Sequence, residues 1–141
     1  MIDHSGHSRH VRWSLLPQTP FATLQGQVDD RDYLQHDLQQ RLSQGPLRWT
    51  LRLTLAEAGD PVDDPTRPWP AERPTVDAGT LVIEQVDGPE QGACRDLNFD
   101  PTILPAGIKP SADPILAARS AAYAESFNRR SREAAQLGAH P

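Results

Sequence analysis

Cysteine, positive charge and long apolar runs are all scarce in this sequence. Cys94 is the only cysteine among 141 residues, so neither an intrachain disulfide nor a Cys-rich zinc site can be built. A lone thiol fits a reducing compartment. The longest apolar run is far too short to span a bilayer, which argues against a membrane partner. Lys and Arg number 14 against 19 Asp and Glu, a formal charge of -5. That balance lacks the basic face a nucleic-acid backbone requires. Met1, Ile2, Asp3, His4, Ser5, Gly6 and His7 supply neither a basic n-region nor an apolar h-region, so residues 1–10 read as a flexible polar terminus rather than a signal peptide. Only 37% of residues are hydrophobic, so an independent core would be small.

Proline is plentiful instead, with 14 residues. It breaks helices and strands, so much of the chain is expected to be loop lying over other surfaces. Residues 11–16 (Val-Arg-Trp-Ser-Leu-Leu) form a first strand candidate, stopped by Pro17. Residues 29–44 predict a helix: Asp29 or Asp30 can cap it, and Tyr33, Leu34, Leu38, Arg41 and Leu42 recur at three-to-four spacing. Gly45 and Pro46 end it. The clearest strand covers 47–55, where Leu47, Trp49, Leu51, Leu53 and Leu55 alternate with Arg48, Thr50, Arg52 and Thr54. Period two predicts one buried and one wet face, as in an antiparallel sheet or barrel.

Residues 59–75 form a proline-rich loop, long enough to be a functional or covering loop. A third strand is predicted over 80–86, an irregular stretch over 87–114, and a last helix over 113–137 with Pro114 in its first turn. No internal repeat is apparent. Strands first and one long helix last make an α+β chain, with 11–137 as its ordered part and 138–141 as a flexible tail.

The last helix carries the most specific chemistry. Arg119, Tyr123, Phe127 and Arg130 lie at offsets of four, four and three, so they share one face. A phenol titrates near pH ~10 and is a poor anionic ligand at neutral pH. A guanidinium held close to its oxygen favours the phenolate, a hard anionic ligand suited to ferric iron. A second arginine two turns on could meet a carboxylate or phosphate with two parallel hydrogen bonds. The bland alternative is a surface cation–π pair, since Arg and Tyr four apart on a helix are common.

The surroundings of this stripe favour the first reading. The run Phe99-Asp100-Pro101-Thr102-Ile103-Leu104-Pro105-Ala106-Gly107-Ile108, followed by Ser111-Ala112-Asp113 and then by Arg119 and Tyr123, resembles the catalase segment leading to the haem ligand. In that family an F-x-P, a P-G-I-like turn, an S-x-D helix start and R-x-x-x-Y follow in this order; here Ala106 is inserted in the turn. Asp64-Pro65-Thr66-Arg67-Pro68-Trp69-Pro70 resembles the family's D-x-T-x-x-W-P loop, and Val11-Arg12-Trp13 through Pro17 resembles its R-W-x-x-x-P barrel strand. Together these motifs cover residues 11 to about 132. The match is closer to the small catalase-related haem peroxidases than to large catalases, whose signature continues with a histidine where Phe127 stands.

The resemblance implies a portion of an antiparallel β-barrel followed by the ligand-bearing helix. It implies haem b as cofactor, with Tyr123 as axial ligand of its iron, Arg119 as the charge partner of Tyr123, and Arg130 against a propionate. Hydrogen peroxide would be the substrate, with an organic electron donor or a second peroxide as reductant. The family's distal V-x-R-x-x-H-x-x-G motif does not occur in this sequence, and nothing around His4, His7 or His10 matches it. The chain therefore reads as the C-terminal half of such a protein, with no catalytic residue of its own. An N-terminal partner fragment would then complete it, while the open edge of half a barrel invites self-association. The alternative is a non-catalytic haem-binding piece or a gene remnant.

Other features have plainer readings. Asp3, His4, His7 and His10 have spacings that could hold zinc or copper, but a Ser/Gly/His-rich terminus is more often simply solvated. His36 reads as a surface residue. Asp60, Asp63 and Asp64 read as loop caps rather than a calcium loop, whose regular ligand spacing is missing. Trp69 is expected to pack the long loop onto the sheet, and Cys94 to be inert.

Overall fold

The computed structural model of the chain describes residues 1–2, 4–20, 29–86 and 97–137. Asp3, Cys94 and the 138–141 tail lie outside the described residues, as does all of 87–96 within the expected irregular stretch. The element order is β1 (Val11–Pro17), α1 (Tyr33–Leu42), β2 (Leu47–Leu55), β3 (Thr75–Ile83) and α2 (Pro114–Leu137). Strands precede the long helix, so the α+β class holds. The chain divides into two compact units, one of residues 11–55 and 74–87, the other of residues 1–10, 56–73 and 88–141.

The first unit is a three-stranded antiparallel sheet in the order β1-β2-β3. Cross-strand register sorts the side chains by face. Trp13 pairs with Leu53 and Val76, Leu15 with Leu51, and Pro17 with Trp49 and Leu81, so these apolar residues share one face. Arg12, Ser14, Thr50, Arg52, Thr54, Asp77 and Thr80 fall on the other. The alternation therefore sets the faces as expected, but the expected burial does not follow. No described residue is buried, and Trp13 stays 66% exposed. A single sheet layer supplies no second layer to cover its apolar side.

Two strand boundaries differ from the sequence reading. Pro17 belongs to β1 instead of stopping it. β1 lies at the sheet edge, where a residue without an N–H is tolerated. β3 occupies 75–83 rather than 80–86. Its first half, Asp77-Ala78-Gly79, has low strand propensity, yet an irregularity opposite Leu51 and Arg52 accommodates it. Arg52 also holds Asp77 through two hydrogen bonds of 2.7 and 3.1 Å. The strand is recruited by its neighbour, which local pattern cannot reveal.

Helix α1 is shorter than 29–44. Asp32 takes the N-cap position without a side-chain cap, and Asp30 is engaged beside it: its Oδ1 accepts from the Asp32 amide at 2.9 Å and its Oδ2 meets His36 Nδ1 at 2.8 Å. Gly45, at φ 140, turns the chain beyond the helix end. The hydrogen bond to Asp30 raises the His36 pKa above its ordinary 6.5, and the same bond lowers that of Asp30 below 3.8. The His36 contribution to stability is therefore complete below pH 6.5 and lost as pH rises through the raised value. The Asp30 contribution is lost only as pH falls through the lowered one. An NMR titration should place the His36 midpoint above 6.5 and return it to the ordinary value in Asp30→Asn; a midpoint unmoved by that change would exclude the pairing.

In the second unit an ion-paired knot closes the proline-rich loop. Arg73 donates to both carboxylate oxygens of Asp60 at 2.8 Å and to Glu57 at 2.6 Å. Asp60 also accepts from the Glu57 amide at 2.8 Å. The Asp60 side chain is only 3% exposed and that of Arg73 19%, so removing the guanidinium strands a carboxylate away from water. Arg73→Leu is expected to lower the urea midpoint clearly at unchanged slope; an unaltered midpoint would show that the knot adds nothing to stability.

Candidate functional site

Helix α2 begins where its sequence says it can. Pro114 occupies the first turn, and Asp113 Oδ1 accepts from the Ile115 amide at 2.8 Å, a side-chain N-cap. The approach to the helix is built from two tight turns. Asp100 Oδ1 accepts from the Thr102 amide at 2.8 Å and the Thr102 hydroxyl at 2.6 Å. Farther on, Ile108 N donates to Pro105 O at 3.2 Å, with Gly107 at φ 87. The inserted Ala106 thus takes a place inside a four-residue turn whose third position needs positive φ, which glycine provides. Ile2 N donates to Gly107 O at 2.7 Å, and Ile2 bridges to Ser8.

The Asp-Pro-Thr device occurs twice. Asp64 Oδ1 accepts from the Thr66 amide at 2.9 Å and its hydroxyl at 2.6 Å, as Asp100 does with Thr102. Next to it, Asp63 Oδ1 accepts from the Ala112 amide at 2.9 Å, joining the proline-rich loop to the residues just before α2. These aspartates act as loop caps, as their sequence context suggested. Trp69 donates from Nε1 to Pro61 O at 3.1 Å, so its polar edge is tied within its own loop.

On α2 the expected stripe is in place. Arg119 Nη2 donates to Tyr123 Oη at 2.6 Å, and its guanidinium carbon lies 5.4 Å from the ring centroid. A single arginine therefore meets both the oxygen and the face of one phenol. Tyr123 remains 36% exposed. Arg130 donates from Nη1 to Ser126 Oγ at 3.0 Å and from Nη2 to Leu97 O at 3.1 Å, with Phe127 beneath it at 6.0 Å. Those two contacts hold the guanidinium on the same helical face as Tyr123. Its partners Ser126 and Leu97 were not singled out from sequence.

Sequence reasoning also missed Ser120, whose hydroxyl donates to Asp100 Oδ2 at 2.5 Å. The Asp-Pro-Thr context could have flagged Asp100 as a carboxylate with fixed partners. The bond from Ser120 and, next, those from Thr102 hold the Asp100 pKa below its ordinary 3.8, against the opposing effect of burial. Among the described residues no three His, Cys, Asp or Glu side chains converge as a metal cluster, and no helix is long and apolar enough to cross a membrane.

An antiparallel sheet, a long terminal helix and a phenol hydrogen-bonded by an arginine one turn before it define the kind of molecule this is. The chain belongs to the catalase family, whose model matches residues 1–138. It is 35% identical over 134 residues to a catalase-related peroxidase of Synechococcus elongatus, covering 93% of this chain and 40% of that protein. A catalase-related peroxidase of Mycolicibacterium paratuberculosis is 31% identical over 132 residues, with 92% and 42% covered. A catalase of Glandirana rugosa is 29% identical over 111 residues, with 73% and 21% covered. The chain thus spans about two fifths of the length of the peroxidases it matches.

Proposed function

We propose that this chain supplies the haem-binding side of a catalase-related peroxidase that consumes hydrogen peroxide. The observation carrying the reading is the 2.6 Å hydrogen bond from Arg119 to the oxygen of the exposed Tyr123. A charged donor at that distance stabilises negative charge on the phenol oxygen, which makes the residues present a fit for ferric iron. Haem b, when bound, would supply the redox chemistry, and a tyrosine oxygen is one of the known axial ligand types for its iron. Tyr123 would hold the iron, and Arg119 would donate its hydrogen bond to the same phenol oxygen. Arg130, on the same face, would offer charge to a propionate. No residue of this chain is assigned the distal acid–base role, and an organic donor or a second peroxide would serve as reductant.

Ferric haem titration of the 141-residue chain tests the reading. Tyr123→Phe is expected to abolish the tyrosinate-type high-spin spectrum and to weaken binding at least tenfold, because the anionic ligand is deleted outright. If the mutant binds haem with the same spectrum, Tyr123 is not the ligand. A peroxide-consumption assay on the haem-loaded chain then separates turnover from haem capture alone, the alternative role for a piece needing an N-terminal partner.

A further inference from the structure

Among the described side chains of α2 the half-buried ones are Leu116, Ser120, Ala124, Phe127 and Ala134, spaced three, four or seven apart as one inward face. Ser120 is the only one of them with a polar side chain, and its hydroxyl is taken by Asp100 at 2.5 Å. The Asp100 carboxylate is itself fixed by the Thr102 amide and hydroxyl, so it is a rigid acceptor rather than a swinging one. Three residues earlier, Leu97 O accepts from Arg130. Segment 97–102 is therefore fastened to α2 at Ser120 and Arg130, on either side of Tyr123 along the helix.

Those two anchor points are about 15 Å apart at 1.5 Å rise per residue, a distance that three extended residues and an arginine side chain can span. The segment runs antiparallel to the helix. Ser120 sits roughly 60° around the axis from Tyr123, given about 100° per residue. A bond at Ser120 thus resists rolling of the helix about its own axis. Of the apolar members of this face, Ala124 and Ala134 are small and hold that roll only weakly.

We infer that Ser120 and Asp100 are positioning residues, which set the roll of α2 and so aim the Tyr123 oxygen, with Arg119 bonded to it, at the haem iron. The inference rests on the reading of Tyr123 as the haem ligand. The contacts of Ser120 and Asp100 are to each other and to Thr102, so they would act through the helix. A loss of the clamp lets Tyr123 sample orientations off the iron axis, which changes ligation geometry without removing the ligand.

The test uses the full 141-residue chain, with ferric protoporphyrin IX as probe. Ser120→Ala and Asp100→Asn are expected to keep far-UV helical content, to bind about tenfold more weakly, in keeping with one hydrogen bond to a charged group, and to shift the phenolate-to-iron charge-transfer band at saturating haem. Ser120→Thr, which retains a hydroxyl, is expected to restore both the affinity and the band. Should Ser120→Ala lose helix, Ser120→Thr and Asp100→Asn still decide, because each preserves side-chain volume or more. If the band and affinity of Ser120→Ala and Asp100→Asn equal those of the wild type while Tyr123→Phe abolishes both, Ser120 merely packs the helix and the inference falls alone. If Tyr123→Phe retains the wild-type band, or the wild type shows none, the ligand reading falls and the inference with it.

Discussion

Arg119→Leu is expected to weaken ferric haem binding about tenfold while leaving the helix intact, and Arg119→Lys to fall between the two. The bond from Arg119 to the Tyr123 oxygen is short, at 2.6 Å, and its donor is charged. Hydrogen bonds to charged groups contribute about 1.5–3 kcal/mol. Tyr123 is 36% exposed, so water screens the pair and the lower end of that range applies, which is about a factor of ten. Leucine preserves helix propensity and apolar volume, so a fall in affinity would report the lost charge rather than a lost helix. Lysine keeps a positive charge but not the planar group that lies 5.4 Å from the ring centroid while reaching the oxygen. Circular dichroism checks the helix and a haem titration reads the affinity. Equal affinity in wild type and Arg119→Leu would mean that the arginine is a surface cation–π partner and no more.

What the sequence made legible follows from the range of the interactions involved. The Arg119–Tyr123 pair is a contact between residues four apart, so helical periodicity alone brought it together, and both side chains meet in the structure. The register-defining alternation of β2 was visible because side-chain period in a strand is local. The first half of β3 was not visible, because Asp77, Ala78 and Gly79 gain their strand geometry from pairing with β2 and from Arg52, 25 residues away. Arg73 gave no local sign of its partners at all: Asp60 lies 13 residues off and Glu57 16. Ser120 was hidden differently. A serine inside a helix usually points to solvent or bonds its own backbone, and only the carboxylate of Asp100, 20 residues earlier, shows that it faces inward.

The apolar face of the sheet should make the purified chain self-associate weakly and in a concentration-dependent way. Trp13, Leu15, Val76 and Leu81 are 66%, 39%, 48% and 42% exposed on it. Fully burying such a side chain stabilises by about 1.5–3 kcal/mol, so covering the part still exposed yields on the order of 1 kcal/mol each, roughly 4 kcal/mol per copy. Two copies packed face to face would gain about twice that from these four residues, against an association cost of about 4–15 kcal/mol. The terms nearly cancel, which predicts contact without a tight dimer. Among the described residues β1 is an edge strand of the sheet, and an open edge favours the same outcome. Sedimentation of the 15.6 kDa chain should therefore show mass rising with concentration, and urea melting should be broad and of low midpoint. The double change Trp13→Lys and Leu15→Lys places charge on the apolar face and should return the chain to monomer. Thr80→Lys, on the opposite face, should leave association unchanged. A strictly monomeric wild type with a sharp, cooperative urea transition would show that the chain covers this face for itself, and that the sheet needs neither a second copy nor a partner fragment to be stable.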